Sequence, residues 1–340
     1  MRKYIQSGLV LKKGDKSPDA VKDLQLDLRQ LGYLKKGIDG DFGDGTERAV
    51  RSIQHDLLRN LGNGRDGNAP VKIVDYNQGR VGTVSGAFDQ DLGACLADML
   101  EDDAFPKLPS SPHPEQANKA ALEAVKALSG LQVPLPFLLA ILVQESGLCH
   151  FQVPTGDNAD NFITVGLDRG TGDEIVITSR GYGIGQYTLF HHPPRPQEVA
   201  ELMMDPVRNV QRAIRELREK FDTFVNGPSD YADDRVAEQE NVPLRICKFP
   251  SADSARFLRD CRRCMEEAGK YNIAAGQTHF FEGASGVYKP THYHEETTYS
   301  EVPIRKDVPC DWPYAIRRYN GSGIDSYHYQ TQVLLRVLKG

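Results

Sequence analysis

Residues 136–147 read PFLLAILVQESG, and how this stretch folds decides how the rest is read. Leu138, Leu139, Ile141, Leu142 and Val143 form a run that is apolar on nearly every side of a helix, so a protein in water must bury most of its faces. Glu145 arrives as the run ends, Ser146 follows, and Gly147 is the residue type that takes the left-handed turn closing a helix. A carboxyl held against such a run loses hydration, and desolvation moves a carboxyl toward the range where it donates a proton near neutrality. The stretch therefore offers a general acid, against the plainer reading of a surface carboxylate at a helix end.

The 340 residues suggest about two domains. A net charge of −6 argues against a sequence-independent nucleic-acid binder. No apolar run reaches about 18 residues, so no membrane insertion is expected. The opening MRKYIQSGLVLKKGD has basic residues but neither an apolar core nor a small-residue cleavage site, which predicts synthesis in the cytoplasm without a secretory signal. The six cysteines, at 95, 149, 247, 261, 264 and 310, are too sparse for a disulfide scaffold. Cys261 and Cys264 form CRRC, and with Cys247 and Cys310 they would make a four-thiolate zinc set. The spacing lacks paired knuckles, so buried thiols or a disulfide are the preferred reading. No metal or cofactor is expected.

In LKKGDKSPDAVKDLQLDLRQLGYL, Ser17 suits an N-cap and Pro18 the first helical position. Val21, Leu24, Leu28 and Leu31 share one helical face, and Gly32 stops it. A tight Asp/Gly turn at 39–45 precedes a second helix, which Thr46 is expected to cap and whose Ala49, Val50, Ile53 and Leu57 face a core. VSGAFDQDLGACLADML predicts a third helix. The run Gly14, Asp15, Ala20, Val21, Leu24, Gln25, Leu28, Leu31, Gly32, Tyr33, Asp39, Gly40, Phe42, Gly43, Thr46, Ala49, Val50 and Gln54 resembles the peptidoglycan-binding module of many cell-wall hydrolases. Ile53 stands where that family usually has Phe, and residues 63–82 are an insertion relative to its usual short connection.

Residues 102–118, DDAFPKLPSSPHPEQAN, have four prolines and no apolar period, which reads as a semi-rigid linker. The expected organisation is a module at 1–101, this linker, and a second domain at 119–340 with an insertion at about 191–311. Residues 115–131 read as a helix, and the Gly-, Asp- and Asn-rich chain from 149 to 180 holds one short candidate strand, IVIT. RGYGIGQYTLF follows; Gly183 and Gly185 leave room for close approach, and Gln186 offers a donor and an acceptor. PYAIRRYNGSG then ends in Tyr319, Asn320 and two turn glycines before a last helical pattern.

Taken in order, Glu-Ser, Gly-x-Gly-Gln and Tyr-Asn-x-x-Gly resemble the three motifs of the soluble lytic transglycosylases, and goose-type lysozymes share the first two. The resemblance covers 115–190 and 312–340. It implies an α-helical lysozyme-like domain with a sugar cleft, which after the three-helix module makes the chain mainly α. By that resemblance Glu145 falls on the catalytic acid/base, Ser146 on its motif neighbour, Gln186 on a glutamine lining the cleft, and Tyr319 and Asn320 on residues near the catalytic carboxyl.

Cleaving a glycosidic bond takes a proton for the leaving oxygen and stabilisation of an oxocarbenium-like centre, usually by a second carboxylate. Goose-type lysozymes have an acidic residue two positions beyond the motif-two Gln; here that position is Thr188. A lytic transglycosylase works with a single Glu and forms a 1,6-anhydro sugar. Asp157, Asp168 and Asp173, with Asp160 and Glu174, sit in the loop after the helix, where a second carboxylate would make the protein a muramidase instead. A wall-binding protein without activity is the third reading.

Two amphipathic patterns, LMMDPVRNVQRAIRELREKFDTFV and residues 251–271, carry no chemistry. HFFEGASGVYKPTHYHEETTYS gathers His279, Tyr288, His292, Tyr293, His294 and Tyr299, read as surface residues, as a metal pair at His292 and His294, or as aromatics lining a glycan groove. The expected partner is the peptidoglycan glycan strand, met by a monomer after release by phage lysis or a secretion system.

Overall fold

The computed structural model describes all residues except 1, 5–7, 16, 66, 129–132, 171, 227–310, 322–324, 327–328, 331, 334–335 and 338–340. The chain is mainly α. Its contacts gather into two compact units, one of Met1–Val125 with Leu148–Val210, the other of Lys126–Gly147 with Gln211–Gly340.

The first unit begins with three helices, α1 (Pro18–Gln30), α2 (Asp44–Arg59) and α3 (Gln90–Glu101). The apolar stripes expected for them, Val21, Leu24 and Leu28 on α1 and Val50, Ile53 and Leu57 on α2, meet Leu92, Leu96 and Met99 in one core. Two glutamines fix the connecting loops in the same way. Gln25 accepts from the amides of Asp39 and Gly40 and donates to Asp39 Oδ1, Asp41 O and Thr46 Oγ1. Gln54 accepts from the amides of Ser85 and Gly86 and donates to Ala87 O. Buried amides that meet both donor and acceptor needs of a turn hold its path. Two expected caps differ. Ser17 occupies the N-cap without a side-chain bond, and α2 starts after Gly43, so Thr46 lies inside the first turn and turns its hydroxyl to Asp41 O at 3.2 Å. The insertion forms an antiparallel hairpin, β1 (Asn63–Gly64) with β2 (Gly67–Asn68), and a 3-10 turn at Ile73–Tyr76.

The stretch read as a linker is packed rather than free. Phe105 and Leu108 are buried, the Leu108 amide donates to Gln30 O at 2.8 Å, and the Ser111 amide donates to Asn161 O at 3.0 Å. The prolines give extended backbone, but these two apolar side chains anchor it. Helix α4 (Pro114–Lys126) starts at its end. Beyond residue 148 the chain returns to the same unit and builds an antiparallel sheet in the order β3 (Val165–Gly170), β4 (Asp173–Tyr182), β5 (Tyr187–Leu189), with Val165 opposite Tyr182 and Tyr182 opposite Tyr187. Sequence alternation pointed only to 175–178, because Gly and Asp interrupt the apolar pattern of a hairpin that is half exposed. Arg29 of α1 grips Asp160 through Nε at 2.9 Å and Nη2 at 3.1 Å, both side chains fully buried. The expected boundary near residue 101 is therefore not where the contacts divide. A short helix α6 (Pro196–Glu198) runs into a π-helical turn, Val199–Met203, and α7 (Pro206–Phe221) follows.

In the second unit α5 (Leu135–Ser146) buries Phe137, Leu138, Ala140, Ile141 and Leu142, as its composition requires. Gly147 takes the left-handed conformation, φ 64°, and its amide returns to the carbonyls of Leu142 and Val143. Ala213, Leu217 and Phe221 share one face of α7 and are buried; Phe221 lies 4.2 Å, ring to ring, from Trp312 of α8 (Asp311–Tyr319). The Arg318 guanidinium sits 4.1 Å over the Phe224 ring. The described residues between 325 and 337 are helical, and Arg336 donates twice to Gln144 Oε1, at 2.9 and 3.0 Å.

Candidate functional site

Glu145 occupies the last turn of α5, half-buried, and accepts a hydrogen bond of 2.5 Å at Oε1 from the phenol of Tyr329. The Tyr319 ring at the end of α8 lies 6.4 Å from that of Tyr329, tilted by 32°. Burial, and then the negative charge of Glu145, push both phenols well above the ordinary tyrosine range, so both keep their protons and Tyr329 is the donor. Glu216 of α7 adds its charge to the same two rings. Its own carboxyl is raised by burial, against the pull of Lys220. The second unit thus sets a held carboxyl, two protonated phenols and a half-buried second carboxyl in one electrostatic neighbourhood.

Tyr329 and Glu216 were not among the sequence candidates. Glu216 lies between Ala213 and Leu217, beside the apolar stripe of α7, and a carboxylate flanking such a stripe was the available signal. Tyr329 lies four residues before the buried Val333, which places both on one helical face, but nothing in the pattern points that face at Glu145.

The other expected residues are placed as follows. The Ser146 hydroxyl donates to Leu142 O at 2.9 Å, one turn back along its own helix. Asn320 is exposed after α8, its amide donating to Arg317 O at 3.2 Å. Gln186 belongs to the first unit, in the β4–β5 turn, with φ 47° and a side-chain bond of 2.7 Å to Gly183 O. The room at Gly183 is used by protein: a Cβ there would lie 2.6 Å from His150 Cε1 and 3.0 Å from Asn209 Nδ2. His150 accepts at Nδ1 from the Ile184 amide and donates from Nε2 to Met203 O, while Asn209 accepts from the Gly185 amide and donates to Tyr182 O and Leu202 O. Burial holds His150 below the ordinary histidine range, in keeping with a neutral ring spent on structure. Asp157, Asp168 and Asp173 are exposed in the first unit; Asp168 accepts from Ser179 Oγ at 2.6 Å and Asp173 from the Ile175 amide at 3.1 Å. Asp160 is taken by Arg29, and Glu174 pairs at the surface with Arg48. The buried Cys95 thiol donates to Asn77 O at 3.9 Å, and Cys149 is half-buried. Cys247, Cys261, Cys264, Cys310 and the cluster of His279, Tyr288, His292, Tyr293, His294 and Tyr299 lie outside the described residues.

Residues 17–57, covering α1 and most of α2, match the model of the family described as "Putative peptidoglycan binding domain". The chain carries an N-terminal peptidoglycan-binding module. No curated protein and no solved structure matches the chain. In the peptidoglycan-binding module Gln25 and Gln54, two of the residues on which the resemblance rests, hold loops. Its insertion supplies most of an open polar groove of about 920 Å³, walled by Asn68, Lys72, Asp75, Tyr76, Arg80 and Glu101. Tyr76 is fixed there by a 2.6 Å bond to Asp102, and Arg80 by one of 2.6 Å to Asp98.

Proposed function

We propose that the protein degrades peptidoglycan, cleaving the β-1,4 bond between N-acetylmuramic acid and N-acetylglucosamine as a lytic transglycosylase. The observation that carries this reading is the Glu145 carboxyl, set at the end of a buried apolar helix and held by the Tyr329 phenol on a chain that binds the wall through its module. Glu145 gives its proton to the glycosidic oxygen as the bond to C1 breaks. The resulting carboxylate then takes the proton of the muramic acid 6-hydroxyl as O6 closes on C1, so no water is consumed and a 1,6-anhydro sugar is released. The N-acetyl group of the substrate stabilises the cationic intermediate, as in substrate-assisted glycosidases. Tyr329 positions Glu145, the Tyr319 ring lies 6.4 Å from that of Tyr329, and Asn320 is the next residue in the chain. The protein acts as a monomer, waiting in the cytoplasm until phage lysis or a secretion system brings it to the wall.

A second reading is favoured by Glu216. A half-buried carboxyl whose charge acts on the same two tyrosines as that of Glu145 could stabilise the cation or activate water, which would make the protein a muramidase. Mass spectrometry of muropeptides released from purified peptidoglycan separates the two. Products lighter by one water than the reducing form support the transglycosylase, whereas reducing ends whose release depends on Glu216 support the hydrolase. Glu145→Gln should abolish either product while wall binding persists; wild-type protein that releases nothing would leave a wall-binding protein.

A further inference from the structure

Within the first unit a cavity of about 270 Å³ opens between the end of α2 and the β4–β5 hairpin, lined among others by His55, Arg59, Ser179, Arg180, His191 and His192. Arg180 is one of its lining residues, 3% exposed. Its Nε donates to Gly32 O at 3.0 Å, while the buried Nη2 has no hydrogen-bond partner. A buried guanidinium nitrogen without an acceptor is costly, and a carboxylate is the group that would supply what it lacks.

The neighbouring acid does not supply it. Asp56 Oδ2 stands 3.8 Å from Arg180 Nη2 and already accepts from Tyr33 Oη at 2.8 Å and Asn60 Nδ2 at 3.2 Å, while its Oδ1 faces His55. Ser179 gives its hydroxyl to Asp168, and His191 pairs with Glu198 at 2.8 Å. Arg59 is exposed at the rim. Two arginines against the one carboxylate of Asp56 leave a single positive charge, which matches a monoanion. Burial first, and then the charge of Arg180, hold His192 well below the ordinary histidine range. A cation is a poor fit, because among the described residues no group of three or more His, Cys, Asp or Glu could hold a metal.

We propose that this cavity is a carboxylate subsite for the stem peptides of the wall, with Arg180 as its buried fork and Arg59 at its mouth. Stem peptides carry free carboxylates alongside the glycan, and His55 and Asp56 fall inside the matched module while Arg180, His191 and His192 come from the later hairpin. The subsite therefore exists only because the hairpin packs on the module. The inference rests on wall binding by the module and is independent of cleavage by Glu145.

The test uses the full chain carrying Glu145→Gln and isothermal titration with a disaccharide-tetrapeptide muropeptide, either with free carboxylates or fully amidated. The free acid should bind about tenfold or more tightly than the amide. Arg59→Gln, at an exposed position, and Arg180→Gln, checked for folding by circular dichroism, should each bring the two forms toward equal affinity and leave the amide unchanged. Equal binding of acid and amide to the parent, or an undiminished preference in Arg59→Gln, would overturn the subsite. Displacement by acetate as effective as by the free-acid muropeptide would overturn the assignment to stem peptides in favour of free carboxylates. The disaccharide probe ends at muramic acid and holds no bond of the kind the proposed cleavage breaks, so a failure of the Glu145 reading, which shows as wall cleavage by the parent, leaves the ratio of affinities to be read on its own.

Discussion

Tyr329 and Glu145 are 184 positions apart in the chain and joined by a 2.5 Å hydrogen bond from phenol to carboxyl. Because burial and nearby negative charge keep the phenol protonated, the bond fixes one oxygen of the proposed catalytic acid. Tyr329→Phe removes a bond to a group that is charged in half the cycle, a loss of about 1.5–3 kcal/mol, or about 10–100-fold in rate. Clearing of a purified wall suspension should slow by that factor while sedimentation of the variant with walls stays at the wild-type level. A wild-type rate would remove Tyr329 from the proposed site.

Arg29 and Asp160 form a fully buried pair in which Arg29 also donates to Leu34 O and Ile163 O. Breaking such a pair from one side leaves an uncompensated charge, which costs about 3–5 kcal/mol. Arg29→Met and Asp160→Asn should each lower the urea midpoint accordingly, and the double variant should cost less than the sum of the two. Strict additivity would show that the two charges do not depend on each other.

How much of this was legible follows from the range over which each interaction acts. The helices α1, α2 and α5 were readable because their apolar periods and stop signals, Gly32 and Gly147, are local. The sheet was not, because Val165, Tyr182 and Leu189 are buried by long-range packing and their strands are interrupted by Gly and Asp. The joining of 148–210 to the module runs through long-range pairs such as Arg29 with Asp160, 131 positions apart, and Arg180 with Gly32 O, and composition cannot signal such pairs. Glu145 could be chosen because a carboxylate closing an apolar helix is anomalous on its own. Tyr329 and Glu216 look ordinary until the fold brings them to it.

His150 and His192 are both buried and held below the ordinary value of 6.5, His150 by desolvation and His192 by desolvation and then the charge of Arg180. A histidine whose folded pKa is depressed favours the neutral form, so its stabilisation is present above 6.5 and is lost as pH falls below it. The unfolded chain then binds protons that the folded one refuses. The two together should lower stability by up to about 2.7 kcal/mol per pH unit below 6.5. Urea titrations from pH 7.5 to 5 followed by circular dichroism should show this slope, and His192→Phe should remove about half of it. A flat profile would mean that neither ring stays neutral in the folded state.

Gly183 and Gln186 separate a structural from a cleft-lining role for the Gly-x-Gly-Gln motif. Gly183 has φ 73°, and an added Cβ would come within 2.6 Å of His150 and 3.0 Å of Asn209, so Gly183→Ala meets backbone strain and overpacking together. Their sum is about 2–4 kcal/mol of lost stability. Gln186 ties its amide to Gly183 O at 2.7 Å, and Gln186→Ala should cost about 1–2 kcal/mol by leaving that buried turn short of a partner. If the motif is structural, both variants should lower the melting temperature in that order and keep wild-type cleavage per folded molecule at 20 °C. A Gln186→Ala protein that melts like the wild type but no longer clears walls would instead put this amide in the cleft, as the resemblance to lytic transglycosylases implies.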